Sequence, residues 1–130
     1  MYGVSETTTY DSGKESVVIR KYLNGIMGGV VLDVTDFAEE FIQCGHVIIR
    51  STESGEYKPM PLKDGKYDVL PANHEYVGVC ITTAPKDTPH VGVITAGEVN
   101  DKAVPYPVDG ILTALKAAVP TLQWGHDVIG

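Results

Sequence analysis

The apolar positions of this chain fall into short runs divided by glycine, proline and Asp/Asn turns. Val17-Val18-Ile19-Arg20 opens the first run, and Asn24-Gly25 closes it with a dipeptide that accepts positive φ. After Gly28-Gly29, the β-branched run Val30-Val31-Leu32-Asp33-Val34 predicts a buried strand. Asp36 with Glu39 resembles a capping box, and Phe37, Phe41 and Ile42 would share one face of at most two helical turns ending at Gly45, with an irregular loop as the alternative. His46-Val47-Ile48-Ile49-Arg50 predicts a strand that turns at Ser54-Gly55 and returns through Tyr57-Lys58-Pro59-Met60-Pro61-Leu62. Two prolines confine that return to a sheet edge or a loop. Lys63-Asp64-Gly65-Lys66 predicts a hairpin turn, Tyr76 to Thr82 a strand, 85–89 a loop, and Val91-Gly92-Val93-Ile94-Thr95 a further strand.

The period changes near the end. Ile111, Leu112, Leu115, Ala118 and Val119 form the stripe of an amphipathic helix, with Asp109 placed to cap its start and Pro120 to end it. Trp124 follows. The start of the chain differs again: residues 1–16 are rich in serine and threonine, with Tyr2, Val4 and Tyr10 spaced between Thr7, Thr8 and Thr9. Such a segment buries little by itself, yet threonine and tyrosine favour extended backbone. It is expected to act as an extended arm that pairs as a strand with a partner. The expected fold is therefore a β-rich α+β one: a small barrel or sandwich over residues 17–130, an N-terminal arm over 1–16 and one short C-terminal helix.

Composition narrows the function. The 130 residues fit one domain, and 43% are hydrophobic, enough for a core. The net charge of −7 repels phosphate backbones, so nucleic acid is a poor partner, and it keeps the free protein soluble. The first residues have neither the basic nor the apolar region of a secretory signal, and no apolar run approaches a membrane span, so no membrane association is expected. Cys44 and Cys80 sit in apolar contexts and are expected to be buried thiols.

Candidate chemistry is sparse. His46, His74, His90 and His126 show no metal-ligand spacing, and Cys44-Gly45-His46 is the nearest approach to one. No phosphate or dinucleotide loop and no nucleophile elbow occurs. Asp33, Asp36, Glu39 and Glu40 cluster in sequence, but around a turn and cap where carboxylates serve helix ends. Either cysteine would need a base that the sequence does not place beside it. Neither an enzyme, a cofactor nor a bound metal is expected.

Val77-Gly78-Val79-Cys80-Ile81-Thr82, then Val91-Gly92-Val93-Ile94-Thr95-Ala96-Gly97-Glu98-Val99-Asn100, resemble the head decoration proteins of tailed phages, the lambda-type family. Gly45-His46-Val47-Ile48, Glu53-Ser54-Gly55-Glu56-Tyr57 and the helical stretch 108–119 extend the resemblance to roughly residues 42–119, whereas 17–41 departs from the shorter members. The resemblance implies a structural virion protein, a homotrimer seated on the outer surface of the head after assembly in the host cytoplasm. Its partner would be the major capsid protein, which it stabilises, with the arm residues Tyr2, Val4, Thr7, Thr8, Thr9 and Tyr10 reaching onto the shell. Tyr106, Leu112, Leu115 and Trp124 are candidates for the trimer contact or for the chain's own core. The alternative role is a head-fibre base or adhesin, which binds another virion protein or a glycan through Tyr57, Tyr67, Tyr76 or Trp124 on one exposed face.

Overall fold

The longer apolar runs pair into one sheet in the computed structural model, which describes residues 18–125. Its order is β1 (Ile19–Gly25), β11 (Val93–Asn100), β8 (His74–Cys80), β4 (Val47–Ser51) and β5 (Tyr57–Pro59), each antiparallel to its neighbour. A further strand, β12 (Leu122–Gly125), runs parallel to the second half of β11, from Gly97↔Leu122 to Asn100↔Gly125. Three two-stranded ribbons surround this sheet: β2 (Val30–Val31) with β10 (His90–Val91), β3 (Phe41–Ile42) with β9 (Ala84–Pro85), and β6 (Leu62–Lys63) with β7 (Lys66–Tyr67). Among the elements with described bounds, one short helix, α1 (Leu112–Ala118), completes a β-rich α+β fold. No described helix is long and apolar enough to cross a membrane.

The side-chain period of two makes two cores from one sheet. In β4, Val47 and Ile49 point into one cluster and Ile48 into the other; in β8, Val79 and Cys80 divide the same way. The first cluster is closed by Leu115 and Val119 of the helix region, Leu122 of β12 and Val108. The second is closed by Val30, Leu32, Phe37, Ile42 and Ala84, drawn from the small ribbons and the loop at 33–40. The continuous apolar run Val47-Ile48-Ile49 is thus the signature of a strand covered on both faces.

Several sequence expectations hold in place. Asp64 (φ 56°) and Gly65 (φ 76°) form the tight turn of the β6–β7 hairpin. The prolines at 59 and 61 flank Met60 at the outer end of β5, an edge strand. Others shift. Asn24-Gly25 is not the turn; both residues pair within β1, and the reversal comes at Ile26–Gly29, with Gly28 and Gly29 at φ 78° and 72°. Gly25 is needed for close approach instead, since a Cβ there would lie 2.3 Å from the Val93 carbonyl oxygen. The capping-box segment is not helical. Phe41–Ile42 pairs with Ala84–Pro85, and the Lys86 amide donates to the Glu40 carbonyl at 2.8 Å. Phe37 and Ile42 are buried but Phe41 faces outward, so the three do not share a face. The run at 30–34 keeps only two strand residues, because Thr35 donates from both its amide and hydroxyl to Asp33 and turns the chain. Asp109 does not cap the helix, whose N-cap is Ile111 without a side-chain bond; the turn Val108–Ile111 intervenes.

Candidate interaction surface

The two lateral edges of the main sheet are built differently. At one side β5 has three residues, ends in Pro59 and continues into Pro61, which shortens the pairing surface. At the other side β1 has seven residues, of which Arg20, Lys21, Tyr22, Leu23 and Asn24 are all exposed. No described strand pairs with its outer side. Its inner side pairs with β11 from Ile19↔Val99 to Gly25↔Ile94, with three register shifts that twist the strand. Arg20 Nε lies 3.9 Å from a Glu98 carboxylate oxygen on β11.

Exposed apolar bulk gathers beside this edge. Six large hydrophobic residues are exposed among the described ones, and four of them fall between positions 22 and 31: Tyr22, Leu23, Met27 and Val31. Met27 is 97% exposed at the tip of the turn after β1. Exposed aliphatic side chains scattered singly are ordinary, but this concentration on one connected stretch marks an interaction surface.

The proposed trimer residues sit elsewhere. Leu115 is completely buried in the chain's own first core and has no area left for another copy. Leu112 and Trp124 are half-buried against that same core. Tyr106 is half-buried in an aromatic group: its ring centroid is 5.4 Å from that of His46 and 5.7 Å from that of Tyr67, both edge to face. The arm residues Tyr2, Val4, Thr7, Thr8, Thr9 and Tyr10, and also His126, lie outside the described residues. The aromatics expected to bind a glycan in the alternative role do not form one exposed face. Tyr57 packs on the second core with the Arg50 guanidinium 6.0 Å over its ring, while Tyr67, Tyr76 and Trp124 pack on the first.

The titratable groups are engaged in structure. The carboxylate of Asp33 accepts both Thr35 bonds, which hold its pKa below the ordinary value. Asp36 and Glu39 line a notch of about 210 Å³ with Phe37, Asp64 and Tyr106, while Asp33 faces Lys58 in a separate, smaller one with Asp36. Cys44 and Cys80 are both buried thiols, and the Cys80 thiol donates to the Gln43 carbonyl. His46 has no solvent exposure and is surrounded by Phe37, Tyr67 and Tyr106, with ring centroids 5.3 to 5.4 Å away. Desolvation outweighs its bond to Met60 and lowers its pKa to about 4, so the ring is neutral at pH 7. Burial likewise pushes the Tyr67 phenol far up, and its oxygen accepts from the Val47 amide at 3.1 Å. Among the described residues, no three His, Cys, Asp or Glu side chains converge as metal ligands would.

Sequence reasoning missed two features. The aromatic group around His46 draws on four separated segments, so no local spacing announces it. The open edge had a weak signal: Arg20-Lys21-Tyr22-Leu23 sets two charges beside two large apolar residues, without the alternation of a strand that has one buried face. No protein-family model matches the chain, and no curated protein matches it.

Proposed function

We propose that this chain is a capsid decoration protein, which trimerises on the outer surface of a tailed-phage head and holds the shell together. The observation that carries the reading is the outer edge of β1, where residues Arg20–Asn24 are exposed and no described strand pairs. A clamp works by surface rather than by a reactive group. An exposed strand edge offers unpaired N–H and C=O groups to any extended chain, and neighbouring apolar side chains add area. The resemblance over residues 42–119 covers β4, β5, β8 and β11 of the main sheet and most of both cores, whereas β1 and β12 lie outside it.

The energetics need no strong single contact. A protein that binds the assembled lattice better than free subunits stabilises the lattice by mass action. Three arms on one trimer act at high effective concentration, so modest contacts add to a tight hold. The charge of −7 keeps the unbound protein soluble while it waits for a shell.

Purified protein added to expanded cognate heads that lack it tests the reading. Saturable binding in multiples of three, with a rise in the temperature at which the heads rupture, is the expected result. Heads that neither bind the protein nor gain stability from it reject the reading.

A further inference from the structure

Asn24 is exposed on β1, and the residue that follows it is Gly25. Their peptide bond falls where the ladder to β11 is irregular. Tyr22 pairs with Gly97, Asn24 with Ala96 and Gly25 with Ile94, so the register shifts on either side of Asn24. There the Gly25 amide donates to Asn24 Oδ1 at 2.9 Å. The side-chain amide is thereby folded back onto the next peptide nitrogen, and its carbon Cγ lies one bond from the oxygen that this nitrogen touches. We infer that Asn24 is a site of spontaneous deamidation, and that its isoaspartyl product unpairs the end of β1 from β11.

The chemistry needs only water. The Gly25 nitrogen gives its proton to solvent base and bonds to Asn24 Cγ. The bond from Cγ to the side-chain nitrogen breaks, and that nitrogen takes a proton from solvent and leaves as ammonia. A five-membered imide results. Water then adds to one of the two imide carbonyls and opens the ring. Opening at Cγ gives aspartate; opening at the main-chain carbonyl carbon gives isoaspartate, in which the backbone runs through Cβ and Cγ. The net change is one water consumed and one ammonia released. Holding the two groups together lowers the cost of closing the ring. Glycine, without a Cβ, leaves its nitrogen open to the attack and accepts the backbone angles of the imide. The other two asparagines lack this arrangement. Asn73 precedes His74 and Asn100 precedes Asp101, and Asn100 Oδ1 is turned to the Lys102 amide instead.

The fold has no slack for the isoaspartyl form, which adds one carbon, about 1.5 Å, to the main chain. β1 is tied on both sides of that point. Ile19 pairs with Val99 upstream, and the Ile26 amide donates to the Val93 carbonyl at 3.0 Å downstream. At Gly25 itself a Cβ would already come within 2.3 Å of the Val93 oxygen and 2.4 Å of the Tyr22 hydroxyl oxygen. The added carbon is therefore expected to break the Ile26 bond and loosen the turn that carries Met27. The aspartyl product changes charge alone and leaves the ladder in register. The inference is independent of the proposed role, although it falls on the strand which that role uses.

Incubation of the free, full-length protein in neutral buffer at physiological temperature, followed by peptide mapping, tests the site. The peptide bearing Asn24 should give way to an isoaspartyl and an aspartyl form, within several-fold of the rate in a synthetic peptide of residues 19–29. The conversion should be faster in mildly alkaline buffer, while the peptides bearing Asn73 and Asn100 keep their amides. Asn24→Gln protein, whose longer side chain does not close a five-membered ring, should stay unchanged. An Asn24 that persists in the folded protein while it converts in the synthetic peptide overturns the site. Amide hydrogen exchange reads the structural consequence. Ile26 should lose protection in the isoaspartyl fraction and keep it in freshly made Asn24→Asp protein, which has the charge without the added carbon. Equal protection of Ile26 in the isoaspartyl fraction, the Asn24→Asp protein and the unaged protein overturns the unpairing. Head binding enters neither readout, so this inference and the proposed function fail separately.

Discussion

His46 donates from Nε2 to the Met60 carbonyl oxygen across 2.8 Å, tying the entrance of β4 to the end of β5. The bond fixes the tautomer: Nε2 carries the proton, and Nδ1, buried in the aromatic group, is left without a hydrogen-bond partner. The ring is therefore stable there only when neutral. A second proton would sit on Nδ1 with no hydrogen-bond acceptor, among the rings of Phe37, Tyr67 and Tyr106.

The pH dependence of stability follows with a definite sign. His46 has a folded pKa of about 4 against 6.5 unfolded. Above pH 6.5 the imidazole is neutral in both states and exacts no penalty. As the pH falls below 6.5, the unfolded chain takes up a proton that the folded one refuses, so stability drops until about pH 4 and then levels off for this group. The full loss is about 3 kcal/mol. Urea unfolding at intervals from pH 7.5 to 5, above the range where carboxylates dominate, should show the midpoint falling. His46→Gln retains a donor for Met60 but does not titrate, and it should flatten that slope; an unchanged slope refutes the assignment.

Gly78 lies where β8 passes β11. A Cβ added there would sit 2.0 Å from the Ile94 carbonyl oxygen, a backbone atom that cannot swing aside. Gly78→Ala is expected to cost about 3 kcal/mol by forcing the two strands apart. Gly65, by contrast, has nothing within 4 Å of an added Cβ, although its φ of 76° disfavours one. Gly65→Ala should therefore cost only about 1 kcal/mol. Thermal unfolding of the two variants should rank them in that order.

Leu115 is the only residue of α1 that is fully buried, and it joins the first core to the outer helix. Leu115→Ala is expected to remove about 3 kcal/mol. Ala118, which shares the predicted stripe, is exposed, and Ala118→Ser should change stability by less than about 0.5 kcal/mol. Denaturant midpoints for the two variants check both values.

The parts of the fold that were legible in the sequence are those set by local chemistry. Asp64-Gly65 announces its hairpin because few other dipeptides accept two positive φ values in succession. Pro59 and Pro61 announce an edge because a proline donates no ladder bond. The parts that were not legible depend on partners distant in sequence. Phe37, Phe41 and Ile42 have spacing that suits a helix turn, but pairing with Ala84–Pro85 overrides it. Asn24-Gly25 has turn chemistry, yet its glycine answers to the closeness of Val93. β12 runs parallel beside β11, so its four residues had no hairpin turn to reveal them. Of the candidate surface, the exposed edge of β1 lacks the alternation that marks a half-buried strand, and the arm expected over residues 1–16 lies outside the described residues.

The exposed stretch after that edge separates the proposed role from mere folding. Leu23 is 63% exposed and Met27 97%, so neither contributes much to either core. Leu23→Ser with Met27→Ser should shift the free energy of unfolding by less than about 0.5 kcal/mol. If the surface beside β1 serves assembly on a head, the same pair of changes is repeated in each of three copies, and the losses multiply through the shared tether. Binding to heads should then weaken by at least roughly tenfold, equal to about 1.4 kcal/mol. Val69 is 79% exposed but lies in another groove, beside Leu70 and Ile111. Val69→Ser supplies the control: it should leave both unfolding and head binding where they were. Equal head binding by all three proteins would separate the β1 surface from assembly.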